Sequence, residues 1–191
     1  MGTFCREARL VAGSHTTEPP TSDTYSSVAS KESVRLAFLL SEVNGIDLVT
    51  VDITNAYVNA PCREKVAAVA GPEFGEYEGW VVIIEKALNG LKSSRAAWHA
   101  HLSEMIRAMG FIPSLADPDM WMRKATRDDG TLYYEYLVCY VDELIICSQN
   151  TAHVIQELRD SGYELKGGSA PETFLGATIG RISNHFYEND M

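Results

Sequence analysis

Asp52 and the pair Asp142-Glu143 each close an apolar, β-prone run. Leu48-Val49-Thr50-Val51 leads into Asp52, Leu137-Val138-Cys139-Tyr140-Val141 leads into Asp142-Glu143, and Leu144-Ile145-Ile146-Cys147 follows at once. Carboxylates at the margin of a core carry a desolvation cost of several kcal/mol unless something compensates them. For acids without a basic neighbour in their own run, hard divalent cations with oxygen ligands are the usual compensation. Two such ions on shared carboxylates, roughly 3.5–4 Å apart, lower the pKa of an attacking hydroxyl and neutralise a leaving pyrophosphate. The chemistry this clustering suits is phosphoryl transfer. The residues alone leave a second reading open, in which Asp52 and Asp142 are strand-end or turn acids, since Asp is common in turns.

The elements that must position these acids can be read from periodicity. Ser30 caps a helix running to Asn44, with Val34, Ala37, Phe38 and Leu40 near one face and Gly45 as its stop. Residues 48–52 and 81–85 read as strands, separated by a stretch containing Gly71-Pro72 and Gly75, and residues 94–109 as a long helix with Ala97, Trp98, Leu102, Ile106 and Met109 at helical spacing. Residues 133–139 and 144–148 read as a hairpin, a helix follows from Asn150 or Thr151 to Gly162, and a last strand spans 174–182. Another short strand is expected at 8–12. With the segment 54–92 set aside as an insertion, the order is βαββαβ, the split βαβ or ferredoxin-like arrangement: an α+β fold with an antiparallel sheet and helices on one face. A right-handed crossover from 48–52 to 133–139 leaves a gap that 144–148 fills, antiparallel to both. Asp52 and Asp142, 90 positions apart in the chain, are then expected at one sheet edge.

Composition bounds the reading. The 191 residues, 46% of them hydrophobic, suffice for one sizeable core and one domain. No run approaches about 18 apolar residues, and Arg6, Glu7 and Arg9 stand where a signal peptide would be apolar; an intracellular protein, cytoplasmic or nuclear, is expected, with no membrane partner. Arg6 also departs from the Ser or Thr of a myristoylation motif. Cys5, Cys62, Cys139 and Cys147 have no zinc spacing and read as reduced thiols. The net charge of -10 speaks against extensive phosphate contact by this chain alone.

The motifs resemble those of copia-type retrotransposon reverse transcriptases. Tyr140-Val141-Asp142-Glu143 resembles the YVDD motif, and Val51-Asp52-Ile53-Thr54-Asn55-Ala56-Tyr57 resembles the segment around the first catalytic aspartate. Ala8-Arg9-Leu10-Val11-Ala12 is similar to the fingers motif K-A-R-L-V-A, Ala87-Leu88-Asn89-Gly90-Leu91-Lys92 to A-L-Y-G-L-K with Trp98 at its end, and Phe174-Leu175-Gly176 to F-L-G. The resemblance implies a partial RNA-directed DNA polymerase: fingers residues in 1–30, a palm over 31–182, and a tail at 183–191. It implies that Asp52, Asp142 and Glu143 hold two Mg²⁺ or Mn²⁺ ions, that Tyr57 lies under the incoming sugar, that Arg9 grips the triphosphate, and that Lys92 and Tyr140 face nucleotide, primer or template. The implied partners are an RNA or DNA template-primer and dNTPs, with missing polymerase subdomains supplied in trans.

Four departures weaken the match. Glu7 stands for the fingers lysine, Asn89 for a tyrosine, Ser93 for a glutamine with Arg95 as a displaced substitute, and Glu143 for the second aspartate. A methylene moves that carboxylate by roughly 1 Å, enough to cost about a hundredfold in rate at a reacting centre. A weak or inactive polymerase is therefore expected, the alternatives being a remnant that keeps only the palm fold or an unrelated ferredoxin-like module.

Overall fold

The computed structural model describes residue 11, residues 24–174 and residues 177–179. The described elements run, in chain order, α1 (Lys31–Asn44), β1 (Asp47–Ile53), α2 (Ala56–Asn59), β2 (Pro61–Val69), a 3₁₀ segment (Pro72–Tyr77), β3 (Val81–Lys86), α3 (Ser94–Ala108), β4 (Ile112–Pro113), β5 (Met120–Thr126), β6 (Leu132–Tyr140), β7 (Glu143–Ser148), α4 (Thr151–Asp160), β8 (Leu165–Ser169), β9 (Thr173–Phe174) and β10 (Ala177–Thr178).

The architecture follows from β7. Leu144, Ile145, Ile146 and Cys147 are all buried with no polar alternation, and a strand apolar on both faces must be covered on both. It lies inside a six-stranded sheet of order β4-β5-β6-β7-β1-β8, in which every neighbouring pair is antiparallel. On one face, Leu144 and Ile146 join Val49, Val51 and Ile53 of β1 in a cluster with Trp98, Leu102 and Ile106 of α3 and Val154 and Leu158 of α4. On the other, Ile145 and Cys147 meet Val34 and Ala37 of α1. Helices on one face were expected; α3 and α4 do share a face, and α1 takes the opposite one because β7 needs a second cover.

The strand at 144–148 lies between those at 48–52 and 133–139, with Val49 opposite Ile146 and Val138 opposite Ile145. The last strand differs from expectation. Phe174 sits in a two-residue strand paired with β10 outside the large sheet, and the edge beside β1 is Leu165–Ser169. Lys166-Gly167-Gly168-Ser169 carries no strand signature, since Gly is depleted in strands. Here Gly is required: Gly167 has φ +87°, and a Cβ on it would come within 2.9 Å of the Thr50 carbonyl oxygen, at the point where the β1–β8 register shifts. Within 54–92 the strand expected at 81–85 is present as β3, paired with a second strand, β2, that was not expected, and β4 and β5 extend the sheet beyond the four strands expected. Of the strand expected at 8–12 only Val11 is described, in a parallel bridge to Asn89; Arg9, Glu7 and residues 180–191 lie outside the described residues. Among the described residues, no helix is long and apolar enough to cross a membrane.

Candidate functional site

The last β6–β7 pair, Tyr140 with Glu143, leaves a two-residue turn of Val141 and Asp142. A two-residue hairpin needs positive φ at its first central position, normally supplied by Gly. Val141 adopts φ +60° there, a strained conformation for a β-branched residue and one that persists only when its surroundings impose it. Two hydrogen bonds do so. The Trp98 indole Nε1–H of α3 donates to the Val141 carbonyl at 2.7 Å, and the Ile53 N–H at the end of β1 donates to the Asp142 carbonyl at 2.8 Å. The residue carrying Asp142 is thereby tied to the strand carrying Asp52.

Asp52 lies between buried Val51 and Ile53, so strand alternation turns it to the sheet face opposite α3 and α4. Its register partners are Glu143 on β7 and Lys166 on β8. Asn55 then takes the left-handed conformation, φ 53°, which Asn tolerates, and starts the short α2 that carries Tyr57. Asp52, Asp142, Tyr57, Asn89 and Lys166 line one open cleft.

The electrostatics agree with that grouping. The Glu143 carboxyl is held above its ordinary value, first by burial and then by the charges of Asp52 and Asp142. The Tyr57 phenol is raised by burial and further by Asp142, while Arg95 pulls the other way. Among the described residues, no three His, Cys, Asp or Glu side chains converge closely enough to hold a metal ion by themselves. Mg²⁺ seldom needs such a cage, being bound by one or two carboxylates with waters and substrate phosphates; the exposed Asp52 and Asp142 on one cleft, with Glu143 at the register position opposite Asp52, fit that donor set.

The other expected residues are less central. Lys92 is exposed and outside the residues that line the cleft, and Tyr140 is half-buried against the α1-side core. Lys166 was missed: its place beside Asp52 depends on the β1–β8 register, which a Gly-Gly strand conceals. A pair behind the turn, half-buried His99 with buried Asp119, was missed as well. Asp119, 1% exposed, contacts His99 Nε2 at 2.6 Å, and Ser27 Oγ lies 3.3 Å from the same nitrogen. Ser, His and Asp suggest a hydrolytic triad, but a relay needs hydroxyl and carboxylate on different ring nitrogens. With both on Nε2, the group ties segments together and cannot pass a proton between them.

The reverse transcriptase (RNA-dependent DNA polymerase) family matches residues 5–187. Two relatives from Arabidopsis thaliana, the retrovirus-related Pol polyproteins from transposons RE2 and RE1, are 24% and 23% identical over 183 and 182 residues. Each alignment covers 92% of this chain and 12% of the polyprotein, so the chain spans a small part of those relatives. With the family match running through both acid-bearing strands, the chain belongs to the reverse transcriptase (RNA-dependent DNA polymerase) family, as its copia-type motifs implied.

Proposed function

We propose that the chain is the palm and part of the fingers of a retrotransposon RNA-directed DNA polymerase, with the cleft at Asp52 and Asp142 as the site of nucleotidyl transfer. In this reading β1-α3-β6-β7-α4-β8 is a ferredoxin-like palm within residues 31–182, 54–92 is its insertion, 1–30 belongs to the fingers and 183–191 is a tail. The strand order β6-β7-β1-β8 supports it. The observation that carries the function is that Asp52 and Asp142, 90 positions apart, line one cleft with Glu143 in electrostatic reach of both.

Asp52, Asp142 and Glu143 supply the oxygens for Mg²⁺ or Mn²⁺, which when bound lowers the pKa of the primer hydroxyl and neutralises the pyrophosphate. Tyr57, fixed by α2 against the core, offers its ring to the sugar of the incoming dNTP. Arg9 binds the triphosphate with its multi-donor head, and Lys92 and Tyr140 face the RNA or DNA template-primer. Glu143 in place of Asp, Glu7 in place of Lys and the net charge of -10 give the chain low activity by itself, with basic surfaces from other polymerase subdomains needed to hold a duplex. Primer extension on a poly(rA) template with Mg²⁺ or Mn²⁺, comparing the chain with Asp52→Asn, is the test. Weak extension that Asp52→Asn abolishes is expected; extension unaffected by Asp52→Asn would overturn the site. No extension, together with no effect of either ion on thermal stability, would favour the remnant that keeps only the fold.

A further inference from the structure

We propose that Trp98 is a positioning residue, whose indole N–H sets the turn that presents Asp142 to the cleft. The metal consequence of this inference rests on the reading given under Proposed function; the geometric part does not.

Trp98 is 1% exposed, and its indole N–H must find an acceptor to be buried at all. That acceptor is the carbonyl of Val141, at 2.7 Å, the one non-glycine residue besides Asn55 held at positive φ among the described residues. A strained turn relaxes unless its surroundings hold it, and a small, partly open space lined by Cys139, Val141, Trp98, His99 and Asp119 lies behind this one, so packing alone does not fill that side. The indole is itself fixed: Tyr163 packs edge-on against it with ring centres 5.7 Å apart and planes at 82°, and Trp98 shares its core cluster with Val51 and Ile53 on either side of Asp52. One ring therefore references the Asp142 turn to the strand that bears Asp52. Partners one shell out from metal ligands act in this way, and losing them weakens metal affinity by about 10–100-fold.

The experiment compares three full-length chains: the wild type, Trp98→Phe, which keeps an aromatic ring and loses the N–H, and Ile106→Val, which thins the same helix's core away from the turn. The first readout is hydrogen exchange at the Ile53 amide, which donates to the Asp142 carbonyl. Trp98→Phe should speed that exchange about tenfold relative to other β1 amides, the size expected for one lost hydrogen bond, and Ile106→Val should not. The second is Mn²⁺ affinity followed by the spin resonance of the unbound ion: it should fall at least about tenfold in Trp98→Phe and stay unchanged in Ile106→Val. Equal Ile53 exchange in wild type and Trp98→Phe, or equal acceleration in both variants, overturns the inference. If the wild type binds no Mn²⁺ that Asp52→Asn abolishes, the proposed function fails, and the exchange measurement still decides the role of Trp98. Should Trp98→Phe not fold, benzothienylalanine at position 98, a tryptophan isostere without the N–H, gives the same comparison.

Discussion

The β6–β7 hairpin and the β2–β3 ribbon are both antiparallel pairs rich in β-branched residues, yet they sit in opposite circumstances. In the hairpin, β7 is paired on both edges and covered on both faces, with Leu144 and Ile145 fully buried. The ribbon forms a sheet of its own, and its apolar Val69, Val81 and Ile83 are 70%, 71% and 71% exposed. A two-stranded pair is marginal in water without a third strand or a packed face. What separates them is register: Glu143 to Cys147 of β7 each have a partner on either side, so their side chains can point only one way, and the ribbon's register shifts between Pro61 and Val66. A carboxylate that must stand at a fixed place belongs on the first kind of pair, and that is where Asp142 and Glu143 are.

The largest effect that would break this contrast is on stability. Leu144→Ala removes a side chain with no exposure and should cost about 2–5 kcal/mol, whereas Ile83→Ala in the ribbon should stay within about 0.5 kcal/mol. Urea melts measure both. A comparable loss at Ile83 would mean that the ribbon is covered in solution.

Next in size is the response to divalent metal. An ion that binds the native state alone adds about 2.7 kcal/mol when present at a hundred times its dissociation constant. Saturating Mg²⁺ or Mn²⁺ should raise the melting temperature of the wild type and of Glu85→Gln, an acid on the ribbon, by the same amount. The rise should vanish in Asp52→Asn. An equal rise in Asp52→Asn would put the bound ion elsewhere.

How much of this was legible in the sequence follows the same division. The strands ending at Asp52 and Asp142 could be read because long apolar runs leave few alternatives, and the crossover rule then brought the two acids to one edge. The β8 edge could not, since Lys166-Gly167-Gly168 has neither alternation nor propensity and its place is dictated by a backbone contact with Thr50. With β8 unread, Lys166 was invisible as a neighbour of Asp52. Periodicity gave α1 an apolar side and could not say which sheet face it covers. Trp98 read as a core aromatic; only coordinates reveal that its one polar atom points at Val141.

The smallest effect sharpens the contrast through pH, and its sign can be derived. Burial, Asp52 and Asp142 raise the Glu143 carboxyl above its ordinary 4.5 in the folded chain, so the folded state binds this proton more tightly than the unfolded one. Where folded chains hold more protons than unfolded ones, stability falls as pH rises. The penalty is absent below about pH 4, grows as pH climbs from the unfolded pKa through the raised folded one, and is constant above both. Glu143→Gln cannot ionise and should therefore melt higher than the wild type at neutral pH, by an amount that shrinks to nothing on acidification. Divalent metal should shrink the same difference from the other side, because an ion in the cleft favours the ionised carboxylate that apo protein disfavours. Melting curves from pH 3.5 to 8 for both chains, with and without Mg²⁺, test this over about the range where a carboxyl titrates. A Glu143→Gln advantage that persists undiminished at the acid end would show that the gain comes from packing, and that Asp52 and Asp142 do not press on this residue.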